Sequence, residues 1–133
     1  MAVSIKSARE IELMRESCRL LAHVHDELGK AIKPGMSTLD IDRLGEKMIR
    51  ELGCIPNFKN YNGYPASICV SVNDEVVHGI PNSKRILQEG DIALLTSAVT
   101  DPFLHQGVNT GIQLVVVLGG LGILLAVFLI LVL

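Results

Sequence analysis

Residues 60–81 read NYNGYPASICVSVNDEVVHGIP, and the fold turns on how this stretch is paired. Tyr61 and Tyr64 bracket Asn62 and Gly63, and Pro65 follows them. Two short β-rich runs come next, 67–72 and 75–80, separated by Asn73 and Asp74. Asn and Asp tolerate positive φ, so the spacing predicts a hairpin closed by a two-residue turn. Pairing about that turn sets Val72 against Glu75, Val70 against Val77 and Cys69 against His78. Side chains alternate faces along a strand. Ile68, Val70, Val72 and Val77 then make an apolar face suited to a core, and Ser67, Cys69, Ser71 and His78 share the other. Directly opposed residues bring their Cβ atoms to about 4.5–5.5 Å, which makes a thiol and an imidazole neighbours on the polar face.

Upstream, Ser7-Ala8-Arg9-Glu10 is a capping box, in which hydroxyl and carboxylate each satisfy a free amide of a starting helix. The helix is expected to reach about residue 32, with Ile11, Met14, Cys18, Leu21, Val24 and Leu28 as its apolar stripe. Lys33-Pro34-Gly35 ends it, because proline lacks the amide donor and disfavours helix in the residue before it. His23 and His25 stand two apart, off the i,i+4 spacing of a helical metal pair, and are read as solvated or packing histidines. Ser37 or Thr38 caps a second helix, with Asp40 and Asp42 favourable near its positive end. Its stripe is Ile41, Leu44, Met48 and Leu52, and Gly53 is a natural stop. Gly45 inside it costs about 1 kcal/mol against alanine. Downstream, 82–85 reads as an exposed turn and 91–95 as a short strand. Two amphipathic helices and then strands imply an α+β fold, the helices covering one face of a sheet. The core expected from these patterns is Ile11, Met14, Leu21, Leu28, Leu44, Met48, Val70 and Val77.

The net charge of −2 and the interspersed signs leave no basic stripe for nucleic acid. Cys18, Cys54 and Cys69 show no C-x-x-C spacing, and the first twenty residues are charged and amphipathic rather than a signal peptide. Both features suit a reducing cytoplasm. The chain nevertheless joins two compositions: no Asp, Glu, Lys or Arg follows Asp101, and residues 114–133 are wholly apolar or glycine. The organisation expected is a half-domain over 1–100, a linker over 101–113 and an apolar tail over 114–133. As a helix, twenty such residues would be about 30 Å long, the thickness of a bilayer core. The tail is therefore a candidate transmembrane helix, inserting after synthesis and leaving the preceding residues in the cytoplasm. It lacks the flanking Lys, Arg, Trp and Tyr of a well-anchored span, so a frame-shifted or fused end is the competing origin.

With GCIPNF before it and LQEGDI after it, the 60–81 stretch resembles the type I methionine aminopeptidases, and the likeness runs from about Ile5 to Ile92. That resemblance implies the N-terminal half of a pita-bread fold, whose two pseudo-symmetric halves hold metals in a central cleft. The implied activity is metal-dependent removal of the N-terminal methionine from peptides and nascent chains, with Co, Zn, Mn or Fe as the divalent ion. It further implies that Phe58, Tyr61, Tyr64 and Cys69 line the pocket for the methionine side chain, where aromatic faces and a thiol suit a polarizable thioether. His78 would contact the substrate near the scissile amide as the catalytic residue that stabilises its transition state.

After Ile92 the sequence departs from the family pattern. The first metal-binding Asp follows the Gly-Asp-Ile triplet by four residues, a position held here by Thr96. The second falls on Gly107, and His105 matches a histidine that is not a ligand. The other ligands belong to the second half, and Asp91 with Asp101 is no substitute. The expectation is a truncated aminopeptidase that binds no metal of its own and is inactive alone. The alternative is a non-catalytic, membrane-anchored binding module on the same half-domain. A metal-independent Cys69/His78 hydrolase is the third, without an oxyanion hole or orienting group in view. A half-domain would also leave a sheet edge open to self-association.

Overall fold

Both helices begin where hydroxyl and carboxylate can exchange hydrogen bonds with free amides. At the first, Glu10 N–H donates to Ser7 Oγ at 3.3 Å and Ser7 N–H to Glu10 Oε2 at 2.6 Å. Helix α1 then runs Ala8–Ala31. At the second, Asp40 N–H donates to Ser37 Oγ at 3.1 Å and Ser37 N–H to Asp40 Oδ2 at 3.0 Å, opening α2 over Thr38–Glu51. The strands are β1 (Ile55–Pro56), β2 (Ile68–Val72), β3 (Ala93–Thr100), β4 (Ile112–Leu118) and β5 (Phe128–Leu131). This computed structural model describes residues 5–100, 112–118 and 128–131.

The α+β class is as the pattern implied. All ladders are antiparallel, and β3 is the hub: β1 and β2 lie end to end along one edge, β4 lies along the other, and β5 pairs with β4. The helices cover the face of β2 and β3 that carries Ile68, Val70, Val72, Leu95 and Val99. Leu21, Val24 and Leu28 from α1, with Ile41 and Ile49 from α2, complete that core. Gly45 is what lets α2 sit so low on the strand. A Cβ there would collide with Ile68 Cδ1 and stand 3.1 Å from Leu28 Cδ1. The glycine that weakens the isolated helix thus leaves the room that the end of the Ile68 side chain occupies.

The expected hairpin is not formed. β2 pairs with β3 along its whole length, from Ile68 opposite Ser97 to Val72 opposite Ala93, and residues 75–80 make no strand. Asn73 does take the left-handed conformation, at φ 58. Its groups, however, serve the approach to β3: its N–H donates to Ile92 O, its side-chain amide to Asp91, and its Oδ1 accepts from Ile92 N–H. Val72 N–H goes to the Glu75 carboxylate at 2.8 Å instead of to a partner strand. Val77, expected in the core, is 56% exposed as a consequence.

Two further expectations change. Ile11 is 41% exposed, because the buried side of α1 is Ser17, Leu21, Val24, His25 and Leu28 and begins more than a turn later. Met14, Leu44 and Met48 pack against the core from its margin, while α2 turns Thr38, Ile41, Asp42, Gly45 and Ile49 inward. The candidate transmembrane helix is also corrected where it can be followed. Residues 112–118 and 128–131 are strands, and no helix of the described residues is long and apolar enough to cross a membrane. An inner strand reads as the same unbroken apolar run as a buried helix, and Val115-Val116-Val117 is β-branched, which favours the strand. Ile112 and Gln113, assigned to the linker, already belong to β4. Residues 101–111, 119–127 and 132–133, with Asp101, His105 and Gly107 among them, lie outside the described residues.

Candidate functional site

The aromatic side of the site is set by a tight turn. Asn60 and Asn62 are left-handed, at φ 67 and 47, and the chain coils through the short 3-10 segment Tyr61–Gly63. Asn60 N–H donates to Tyr64 O and Tyr64 N–H to Tyr61 O, both at 2.9 Å. Tyr64 then meets Phe58 edge to face, with ring centroids 6.2 Å apart and planes at 82°. That geometry suits the opposed charges of ring face and ring edge. The Tyr64 hydroxyl lies 3.3 Å from Ile68 O and 3.4 Å from Gly79 O, so its one proton is shared between two carbonyls. Tyr61 is exposed and makes no ring contact with the pair among the described residues.

The loop after β2 closes the other side. Val70 N–H donates to Gly79 O at 2.9 Å, and Gly79 N–H donates to Ser71 Oγ at 3.0 Å. A Cβ on residue 79 would collide with the Val70 carbonyl oxygen and approach Ser71 Cα to 2.8 Å, so only glycine fits this approach. His78 immediately before it is left-handed, φ 58, an uncommon and costly backbone for a side chain of that size. The result is that His78 Nδ1 stands 3.8 Å from Cys69 Sγ. The neighbourhood expected from a hairpin is therefore present, held by a loop rather than a ladder. Phe58, Tyr64, Cys69 and His78 are linked in this way around the outer face of β2.

Burial pushes the Cys69 thiol above its ordinary value; the Tyr64 hydroxyl opposes that rise and the Asp42 charge adds to it. Burial likewise raises the Tyr64 phenol, helped by Cys69 and Asp42. Both groups are neutral at pH 7. A neutral, 2% exposed thiol is a soft packing surface and a poor nucleophile, which counts against a Cys69/His78 hydrolase.

Thr96 lies directly opposite Cys69 in the β2–β3 register, buried and on the same outer face. The donors gathered there are the Cys69 thiol, the hydroxyls of Tyr64, Ser71 and Thr96 and the His78 imidazole, with no carboxylate among them. A dinuclear centre for hydrolysis needs several hard anionic oxygens. No group of three or more His, Cys, Asp or Glu side chains placed to hold a metal occurs among the described residues. The residues on this face do not fit a divalent-metal centre.

Residues 12–110 match the family described as Metallopeptidase family M24. The chain belongs to that family. The match carries well past Ile92, so the M24 pattern continues into β3 and beyond it. "Methionine aminopeptidase 1" of Bacillus subtilis is 55% identical over 87 residues, covering 65% of this chain and 35% of the relative. Among solved structures, the methionine aminopeptidase of Thermotoga maritima superposes with a TM-score of 0.78 at 32% identity, covering 89% of this chain and 46% of the other. The Rickettsia prowazekii methionine aminopeptidase gives 0.79 at 28% identity, with 89% and 45% covered. This M24 chain thus spans about a third of the length of the curated relatives it matches. Its α+β arrangement is that of the pita-bread aminopeptidases.

Two residues beside the site have little signal in the sequence. Gly79 carries no local signal, because its constraint is the proximity of Val70. Asp42 reads in the sequence as a charge near a helix N-terminus. Its signal was positional: it falls on the buried side of α2 with Thr38, Ile41, Gly45 and Ile49, where a carboxylate requires partners.

Proposed function

We propose that this chain carries the methionine-recognition half of M24 aminopeptidase chemistry. The side chain of an N-terminal methionine enters between the Phe58–Tyr64 ring pair and the Cys69 thiol, with exposed Tyr61 at the rim. His78, beside that thiol and open to solvent, donates a hydrogen bond to the carbonyl of the first peptide bond. The observation that carries this reading is the convergence of an edge-on aromatic pair, a neutral thiol and an imidazole 3.8 Å from it on one face of β2. Rings and a protonated thiol favour a thioether over a charged or small side chain. The partners are peptides and nascent chains that begin with methionine.

Hydrolysis is a separate matter, because a metal in this family supplies the hydroxide that attacks the amide. Thr96 and Gly107 stand where the family's acidic ligands fall, and Thr96 brings only a neutral hydroxyl to the cleft face. We therefore expect recognition without cleavage by these residues alone. The test is a titration of the whole chain with Met-Ala-Ser and Ala-Ala-Ser, followed by NMR, with and without cobalt, zinc or manganese. Met-Ala-Ser should bind saturably, with Kd on the order of 1 mM or tighter, and no metal should release free methionine. Equal responses to the two peptides would remove the pocket assignment. One or two tight metal sites by calorimetry, or metal-dependent cleavage, would overturn the non-hydrolytic reading.

A further inference from the structure

Asp42 faces β2 from α2 at 5% exposure, and its Oδ1 accepts both the Ser67 N–H and the Ile68 N–H at 2.8 Å. A carboxylate in a helix–sheet interface loses its hydration and is retained only where hydrogen bonds replace it. Here the replacements are the two amides at the head of β2. Burial raises the carboxyl above its usual range, and those two amides draw it back. Glu46, one turn on, and Lys59 pair with each other beside it and act on it with opposite signs. The two peptide units that flank the Ile68 Cα are each held: the N–H before it by Asp42, and the C=O after it by the Tyr64 hydroxyl at 3.3 Å. Gly45 leaves the room for α2 to make this contact.

We infer that Asp42 is a positioning residue for the methionine pocket, fixing the separation of the Tyr64 ring from the Cys69 thiol through the Ser67 and Ile68 amides without touching the bound side chain. Only four residues join Tyr64 to Cys69, and two of them, Ser67 and Ile68, are the ones Asp42 holds. Its charge has a second effect: with burial as the larger cause, it adds to the rise of both the thiol and the phenol above their ordinary values. The inference rests on the pocket assignment proposed above, but its geometric part can be read without any peptide.

Two variants separate geometry from charge. Asp42→Asn keeps an Oδ1 acceptor and loses the charge; Asp42→Ala loses both. Three readouts apply to the full chain: amide exchange at Ser67 and Ile68, the pH profile of Cys69 alkylation resolved by peptide mass mapping, and Met-Ala-Ser binding. For Asp42→Asn, exchange and affinity should stay within about threefold of the parent, while the alkylation profile moves to lower pH. For Asp42→Ala, the two amides should exchange about tenfold faster or more, and affinity should fall about tenfold. Exchange in Asp42→Ala no faster than in the parent overturns the positioning role, as does an Asp42→Asn variant that loses affinity as the alanine variant does. Should Asp42→Ala fail to fold, Asp42→Asn decides: exchange rising about tenfold at both amides overturns the positioning role, and an alkylation profile that does not move overturns the charge effect. Absence of Met-Ala-Ser binding by the parent chain would instead sink the pocket assignment, with exchange and alkylation still reporting on Asp42.

Discussion

The two faces of β2 and β3 are built from alternate residues of the same strands, yet they are filled by opposite means. The inner face holds Ile68, Val70, Val72, Leu95 and Val99 under two helices, and its order comes from apolar contact. It admits polar groups as well, among them His25 Nε2, paired with Ser97 Oγ at 2.6 Å, and Asp42, paired with the amides at the head of β2. The outer face holds Cys69, Ser71 and Thr96, and it is closed by a loop tied down through single hydrogen bonds at Gly79 and Tyr64. The difference teaches where each kind of interaction is useful. Close packing gives stability without direction, whereas individually aimed bonds place a thiol, a phenol and an imidazole at set separations. A change on the inner face should therefore register in global stability, and a change on the outer face in local geometry.

The largest expected effect tests the inner face directly. Ile68→Ala empties the contact over Gly45 and should cost about 2–5 kcal/mol of unfolding free energy, measured by denaturant titration. A loss below about 1 kcal/mol would mean that the inner face is not close-packed.

Next comes one of the polar exceptions on that face. Burial lowers the His25 imidazole from 6.5 to about 4. The folded chain holds it neutral, whereas the unfolded chain protonates it near pH 6.5. The stabilisation is thus fully present above pH 6.5 and is lost as pH falls from 6.5 to about 4, amounting to about 3 kcal/mol in all. His25→Leu should flatten that part of the stability profile. An unchanged slope would assign acid sensitivity to other groups.

The smallest change sharpens the contrast by striking the outer face. Gly79→Ala places a Cβ against the Val70 carbonyl, and the loop must lift from β2. The expected cost is about 1–2 kcal/mol, with faster exchange of the Val70 amide and little change at Leu28 or Ile41. Uniformly faster exchange across both faces would show that the loop supports the whole sheet rather than the pocket alone.

Legibility followed the range of the interactions. The capping box at Ser7, the hydroxyl cap of the second helix at Ser37 or Thr38 and the stop before Lys33-Pro34-Gly35 are local, decided within one turn of chain; the structure sets the second cap at Ser37 and ends α1 at Ala31. Family membership was legible too, because Tyr61, Tyr64, Cys69 and His78 keep their spacing whatever pairs with them. The hairpin failed for the converse reason. Asn73 has the turn conformation expected of it, but the partner of β2 is an eight-residue strand more than twenty positions away that outbids the short run after the turn.

By itself, then, the sequence determined two capped amphipathic helices, an α+β class and a place among M24 peptidases. Tertiary structure decided the rest: that β3 rather than residues 75–80 pairs with β2, that 112–118 and 128–131 are strands, that His78 reaches Cys69 from a loop, and that Asp42 holds the head of β2. Backbone hydrogen bonds between strands carry no residue label, and an apolar run suits a helix or an inner strand equally well. Such choices are made only when competing partners meet in space.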